Sequence, residues 1–150
     1  MKKDVIVFLM AFIIFGCSVH EREMSSMPKY NSEECYSASF QDATDYCMFS
    51  YDEDTILDFM DDSRFEEVTN SDIGRIKRYF ADFSQYVVDA DYYEEYDFDY
   101  ALQIKEGDYY YIITKEYEIE NGRTYGIYDN YHVYYVDMSR HTLYYIHSSI

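Results

Sequence analysis

The chain has 150 residues, enough for one domain of ordinary size. It carries 12 Lys and Arg against 30 Asp and Glu, a formal net charge of −18 at pH 7, and its 21 Tyr and 10 Phe can supply a core. This composition argues against a disordered chain. The negative charge argues against nucleic acid or an anionic lipid surface as a partner, because both are bound by basic surfaces.

The N-terminus has the features of an export signal. Two lysines lie within residues 1–4, and an unbroken apolar run covers residues 5–15. The run is shorter than the roughly 20 apolar residues that a membrane-spanning helix needs. A basic start, a short apolar stretch and a small residue at its end, here Gly16, are typical of a signal peptide.

The segment Ile14-Phe15-Gly16-Cys17 resembles the lipobox of bacterial lipoproteins, although Phe15 stands where that family usually has a small residue. The resemblance implies that residues 1–16 are a cleaved signal and that Cys17 carries diacylglycerol. It also implies that the chain is anchored at the extracytoplasmic face of the cell membrane. The alternatives are an ordinary signal peptide or a short membrane anchor that happens to contain Cys17.

Behind the signal, the sequence predicts a tether and one domain. Residues 17–35 contain the only proline and no apolar period, so we expect the lipidated cysteine to be followed by a flexible tether. A single domain is predicted over 36–150. The two remaining cysteines, Cys35 and Cys47, could form a disulfide outside the cytoplasm. The alternative is that Cys47 serves as a small buried apolar residue.

The first part of the domain, residues 36–90, has the spacing of helices. Apolar residues recur every three or four positions over 36–51, and a second short set lies in Asp54–Asp61. The clearest helix is predicted over Asp72–Asp89, where an apolar stripe repeats at spacings of 3, 4, 3 and 4, with Thr69 or Ser71 as its cap. The stripe consists of Ile73, Ile76, Phe80, Phe83 and Val87.

From about residue 98 the apolar period changes from 3.6 to 2, which is typical of strands. Because tight turns join antiparallel neighbours, we predict an α+β domain in which N-terminal helices pack on a C-terminal antiparallel meander sheet of four to five strands. The order resembles the cystatin-like and NTF2-like folds, in which a helix lies across a curled sheet. The predicted strands cover 98–105, 108–120, 123–128, 131–137 and 142–147, with turns at Glu106-Gly107, Asn121-Gly122, Asp129-Asn130 and 138–141.

Two histidines are brought together by the predicted last hairpin. A turn over 138–141 pairs Asp137 with Thr142 and therefore places His132 opposite His147, with Cβ atoms about 5 Å apart. They are weak candidates for a metal, because a zinc site needs a third ligand and the sequence offers no HExxH or CxxC motif. We therefore expect no cofactor. Nucleophile motifs such as GxSxG and phosphate-binding glycine loops are also missing from the sequence, so we do not expect an enzyme.

Tyrosines on both sides of the predicted sheet offer a candidate binding face, formed by Tyr109, Tyr111, Tyr134 and Tyr145. Exposed tyrosines give rigid contact area with a polar tip. The alternative is that Tyr simply suits a half-buried sheet position. We expect a membrane-anchored, non-enzymatic binding module whose partner is another protein of the envelope. The alternatives are a small-molecule or glycan pocket and a metal-dependent hydrolase.

Overall fold

The computed structural model describes residues 20–39, 43–89, 102–119 and 123–149. The predicted α+β class is confirmed, and the described part of the chain forms one antiparallel sheet of six strands rather than four to five. Residues 20–25 are helical and are called α1 here. The other elements are β1 (Ser32–Ser39), β2 (Ala43–Ser50), α2 (Glu53–Ile56), a 3-10 helix (Leu57–Met60), β3 (Glu66–Glu67), α3 (Asn70–Asp89), β4 (Tyr109–Ile119), β5 (Arg123–Asp137) and β6 (Thr142–Ser149).

The sheet has the strand order β1-β2-β6-β5-β4-β3. Strands β4, β5 and β6 form the predicted meander, and the β1–β2 hairpin adds to it beside the C-terminal strand. The N-terminal and C-terminal parts of the chain therefore share one sheet. The edge strand β1 carries Glu33 and Glu34, and charged side chains on an edge discourage pairing with further strands.

The helix predicted over 36–51 is wrong, because these residues form β1 and β2. Its apparent helical spacing arises because both faces of the sheet are covered, so β2 places apolar residues at four consecutive positions from Tyr46 to Phe49. A strand that is buried on both faces loses the alternation that would identify it. The short helical segment predicted at 54–61 corresponds to α2 and the 3-10 helix.

The long predicted helix is present as α3, and its start is capped as the sequence indicates. Both the backbone N–H and the hydroxyl of Thr69 donate to the Asp72 carboxylate, at 3.0 and 2.5 Å, which is one half of a capping box. The stripe residues Ile76 and Phe83 are completely buried. α3 therefore covers one face of the sheet, as predicted.

The strand boundaries differ from the prediction in two places. Residues 102–105 are not a strand, although Ile104 is buried; the rest of the strand predicted over 98–105, like the turn dipeptide at 121–122, lies outside the described residues. The predicted turn at Asp129-Asn130 is also wrong, because β5 continues through it. The chain accommodates this dipeptide by an irregularity in the β4–β5 pairing, with a register shift between Thr114 and Glu116.

The two faces of the sheet are covered differently. On one, which we call the α3 face, α3 packs on a core that includes Tyr46, Val133, Tyr135, Tyr144 and Ile146. On the other, the α1 face, residues 20–30 and 51–65 cover a second cluster that includes Phe49, Tyr134, Val136, Leu143 and Tyr145. No helix in the described ranges is long and apolar enough to cross a membrane.

The flexible tether predicted over 17–35 is corrected by the structure. Residues 20–31 lie on the α1 face, and β1 begins at Ser32, so Cys35 lies in the sheet. Met27 is buried in the α1-face cluster. The Arg64 guanidinium holds the segment by hydrogen bonds to the Glu23 carboxylate at 3.2 Å and the Ser26 hydroxyl at 2.6 Å. The attachment is partly polar, which explains why the segment has no apolar period.

Candidate functional site

A polar row crosses the α1 face of the sheet. Antiparallel register places Ser37, Asp45, His147 and His132 side by side on β1, β2, β6 and β5. The predicted pairing of Asp137 with Thr142, and hence of His132 with His147, is confirmed. The two imidazole rings stack with centroids 4.2 Å apart and an interplanar angle of 7°. The row is buried or half-buried along its length, except for the exposed Ser37.

Asp45 is the charged centre of this row. His147 Nδ1 lies 2.9 Å from Asp45 Oδ2, and the Ser37 hydroxyl donates to Asp45 Oδ1 at 2.5 Å. Burial alone would raise the pKa of Asp45, but the hydrogen bonds from His147 and Ser37 outweigh burial and lower it. Asp45 is therefore a carboxylate at neutral pH, and its side chain remains 31% exposed.

The histidine pair connects to the N-terminal segment through tyrosines. His132 Nδ1 is 2.9 Å from the Tyr145 hydroxyl, and the ring of His20 stacks on Tyr145 with centroids 3.9 Å apart. His20 Nδ1 also lies 3.3 Å from the Tyr134 hydroxyl. The N-terminal segment is thus seated directly on the histidine and tyrosine side chains of the sheet.

Burial keeps two of these histidines neutral. It lowers the pKa of His20 to about 4, against the smaller opposing effect of the Asp45 charge. It likewise lowers the pKa of His132 to about 4, and the neighbouring His147 adds to this effect. Both imidazoles are therefore uncharged at pH 7.

The histidine pair does not form a metal centre in the structure. The rings meet the distance that a shared metal would require, and a carboxylate is adjacent, but they lie face to face with both Nδ1 atoms already hydrogen-bonded. In the part of the chain that the structure describes, no group of three or more His, Cys, Asp or Glu side chains is arranged to hold a metal ion.

Next to the polar row, a disulfide joins Cys35 and Cys47, which face each other on β1 and β2. A pocket of about 550 Å³ opens above it, between the N-terminal segment and the outer strands. The pocket is lined by side chains from three parts of the chain. They are His20, Glu21, Met24, Ser25 and Tyr30 from the N-terminal segment, Glu33, Cys35 and Ser37 from β1, and Asp45, Cys47, Phe49 and Tyr145 from β2 and β6.

The four tyrosines predicted as a binding face do share one face, the α1 face, but this face is covered. Tyr134 and Tyr145 are almost completely buried, at 0% and 1% exposure. Tyr109 and Tyr111 are partly buried against the same cluster. The prediction of an exposed tyrosine surface is therefore corrected, because residues 20–30 and 51–65 pack over it. Of the four, only Tyr145 lines the pocket.

Two site residues, His20 and Asp45, were not identified from the sequence. His20 lay in the predicted tether and Asp45 in the predicted helix, so no pattern placed either beside the histidines. A correct β1–β2 hairpin would have revealed Asp45, since its register with β6 sets Asp45 opposite His147. Cys17 lies outside the described residues, and its lipidation stays a prediction.

No protein-family model matches this chain, and no curated protein or solved structure matches it significantly.

Proposed function

We propose that this chain is a lipid-anchored, extracytoplasmic binding protein that holds a small organic ligand in the pocket above the Cys35–Cys47 disulfide. The observation that carries the proposal is the pocket itself, whose volume of about 550 Å³ lies in the range of small-molecule sites. Its lining combines aromatic rings with a few polar groups, as ligand sites do. The covered tyrosine face no longer offers the broad surface on which a protein partner was expected.

The geometry favours binding rather than catalysis. The Asp45 carboxylate is held by two hydrogen bonds, and His132 by one to Tyr145, so these groups are fixed in place. His20 stacks on Tyr145 and forms one wall of the pocket. Fixed polar groups beside apolar walls orient a ligand at little cost in conformational entropy.

The proposed lipid anchor lies close to the pocket in the sequence. Only two residues separate Cys17 from His20, so a lipid on Cys17 would hold the anchor residue within about 11 Å of the pocket wall. In this proposal the domain sits at the membrane surface rather than at the end of a long tether. The ligand would therefore be met at the outer surface of the membrane.

Fragment binding observed by NMR tests the pocket. The chain from residue 17 onward, with Cys17→Ser, is titrated with a library of small aromatic and aliphatic fragments. We expect bound fragments to shift the backbone amides of Asp45, Cys47 and Phe49. The variant Glu33→Trp should fill the mouth of the pocket and weaken binding at least tenfold. The matched control is Glu67→Trp, which changes an exposed Glu on β3, at the opposite edge of the sheet.

The binding proposal fails if no fragment shifts these amides, or if Glu33→Trp and Glu67→Trp bind alike. Anchoring is tested separately by feeding producing cells an alkyne-bearing fatty acid. We expect label on the wild-type chain and none on Cys17→Ser. Label on both chains, or on neither, would contradict lipidation at Cys17.

A further inference from the structure

The charged side chains that line the pocket are all acidic. Glu21, Glu33 and Asp45 line it, whereas neither Lys nor Arg appears among the side chains that the structure places around it. His20 adds no positive charge at pH 7, because burial lowers its pKa to about 4. A ligand in this pocket meets a negative potential, which the net charge of −18 reinforces.

Asp45 gives this charge a fixed position. Its hydrogen-bond partners are the Ser37 hydroxyl and the His147 ring. Glu33 is also held in place, because the Tyr30 hydroxyl donates to its carboxylate. Both carboxylates line the pocket, and among the residues that the structure describes neither has a Lys or Arg partner. Such an arrangement favours a ligand that supplies the missing positive charge.

The pocket walls are aromatic. Tyr30 and Phe49 lie with ring centroids 4.9 Å apart, and His20 stacks on Tyr145 at 3.9 Å. Phe49 and Tyr145 are only 2% and 1% exposed, so the aromatic rings that a ligand can reach are those of the partly buried Tyr30 and His20. Aromatic ring faces attract cations, and the attraction increases when water is excluded. Carboxylates beside aromatic rings thus fit a ligand with a positive head and an apolar body.

We propose that the pocket binds a small organic cation, with its ammonium group against Asp45 and its apolar part toward Tyr30, in a negative potential to which Glu33 contributes from the other end of the pocket. This inference rests on the proposed function, and it adds the chemical class of the ligand. An anionic ligand would be repelled by the three carboxylates. A neutral ligand would gain only the aromatic contacts.

A matched set of ligands tests the charge requirement. Phenethylamine, 2-phenylethanol and phenylacetate share a phenyl ring and differ in the charge of the side group. Each is titrated into the chain from residue 17 onward with Cys17→Ser, by NMR at low salt and at 1 M NaCl, where the screening length falls to about 3 Å. We expect phenethylamine to bind at least tenfold more tightly than 2-phenylethanol at low salt, and to shift the Asp45 and Phe49 amides at both salt concentrations.

Conservative variants separate the pocket from the general acidity of the surface. Asp45→Asn and Glu33→Gln each remove one charge while keeping the shape of the side chain. Asp45→Asn should reduce this tenfold preference to threefold or less, and Glu33→Gln, whose charge lies further from the ammonium, should reduce it to about fivefold. Glu67→Gln removes the same charge from the far edge of the sheet and should leave the preference unchanged. Because Glu33 is exposed, Glu33→Gln keeps the test valid even if Asp45→Asn fails to fold.

The outcomes distinguish this inference from the proposed function. Equal affinity for phenethylamine and 2-phenylethanol, or loss of the preference in Glu67→Gln, would overturn the cation proposal while leaving a ligand pocket in place. If neither these ligands nor the fragment library shifts the pocket amides, both proposals fail. A preference that disappears at 1 M NaCl and is insensitive to Glu33→Gln would show nonspecific attraction only and would also overturn the inference.

A free amine and the headgroup of phosphatidylethanolamine present the same ammonium chemistry. Vesicles of phosphatidylethanolamine and phosphatidylglycerol in a 3:1 ratio, compared with phosphatidylglycerol alone, distinguish the two sources. If only the mixed vesicles displace phenethylamine from the pocket amides, the cation is a lipid headgroup. If neither displaces it, the cation is a free amine.

Discussion

The two faces of the sheet are covered in different ways. On the α3 face, one long amphipathic helix places Ile76 and Phe83 into an apolar core. On the α1 face, the N-terminal segment covers a row of polar and aromatic residues. It is held there by Arg64 and by the stacking of His20 on Tyr145. The α3 covering is fixed mainly by the burial of apolar area. On the α1 face, residues 51–65 also bury apolar side chains such as Ile56 and Phe59, whereas the N-terminal segment is held largely by specific polar contacts.

This difference separates the main sources of stability from the proposed binding site. Burial of large apolar side chains dominates the free energy of folding, so α3 and the apolar side chains that residues 51–65 bury should contribute most of the stability. The N-terminal segment buries few apolar side chains and should open at a lower free energy. Because it also forms one wall of the pocket, local opening there could admit a ligand without unfolding the sheet.

The largest expected effect is on the α3 face. Phe83→Ala removes a fully buried ring from α3 and should lower the free energy of unfolding by about 3–5 kcal/mol. Urea unfolding followed by circular dichroism measures this change. Hydrogen exchange should show that α3 and the sheet lose protection together, whereas residues 20–27 already open locally and should change less.

The control is Lys77→Ala, an exposed position on the same helix, which should change the free energy of unfolding by less than about 0.5 kcal/mol. If Phe83→Ala reduced the protection of α3 alone and left that of the sheet unchanged, α3 and the sheet would not form one cooperative core. The proposed difference between the two faces would then be wrong.

The α3 face was also the more predictable from the sequence. The stripe containing Ile76 and Phe83 has a clear period of 3.6, and Gly107, which has a φ of 83°, marks the turn before β4. Hydrophobic period and turn residues are local signals, and they were sufficient there. The sequence predicts a helix where the β1–β2 hairpin lies, because β2 is covered on both faces and so has no alternation.

The candidate site was only partly predictable for the same reason. The pairing of His132 with His147 followed from one hairpin and was correct, because register within a hairpin is set locally. Asp45 and His20 reach the site through contacts between distant parts of the chain. Such contacts leave no period in the sequence, and the attachment of the N-terminal segment through Arg64 leaves none either.

An intermediate effect is expected at Arg64, which joins the N-terminal segment to the rest of the α1 face. Arg64→Ala removes the hydrogen bonds to Glu23 and Ser26 and leaves the Glu23 side chain, which is 11% exposed, without this cation. We expect a loss of about 2–3 kcal/mol, because a largely buried carboxylate loses one of its two arginine partners and keeps only the exposed Arg22. Hydrogen exchange should increase over residues 20–27, while β5 and β6 keep their protection.

A matched control for the second test is Arg75→Ala, which removes an arginine that contacts Tyr110 on the α3 face. It should not change exchange over residues 20–27. Equal exchange of this segment in both variants would show that Arg64 does not hold it, and the polar covering of the α1 face would have to be explained otherwise.

The smallest expected effect is a dependence on pH that is confined to the α1 face. Burial lowers the pKa of His20 and His132 to about 4 in the folded chain, whereas both side chains titrate near 6.5 when unfolded. Between these values the unfolded chain binds more protons than the folded chain, so stability falls as the pH decreases from about 6.5 to 4. We expect a total loss of about 1–2 kcal/mol, less than the full shifts would give, because His20 is only partly buried and the segment that carries it can open to water.

Urea unfolding at several pH values, with hydrogen exchange corrected for its intrinsic pH dependence, measures this loss. His20→Phe keeps an aromatic ring against Tyr145 but cannot titrate, so it should remove about half of the dependence between pH 6.5 and 4 and leave the contribution of His132. The control is His141→Asn, in the turn at the opposite end of β6 from His147, where Asn tolerates the φ of 51°.

Because protonation acts on the polar row, residues 20–27 should lose protection before α3 does. If residues 20–27 and α3 lost protection at the same pH, the histidines would stabilise the whole core and not only the attachment of the N-terminal segment.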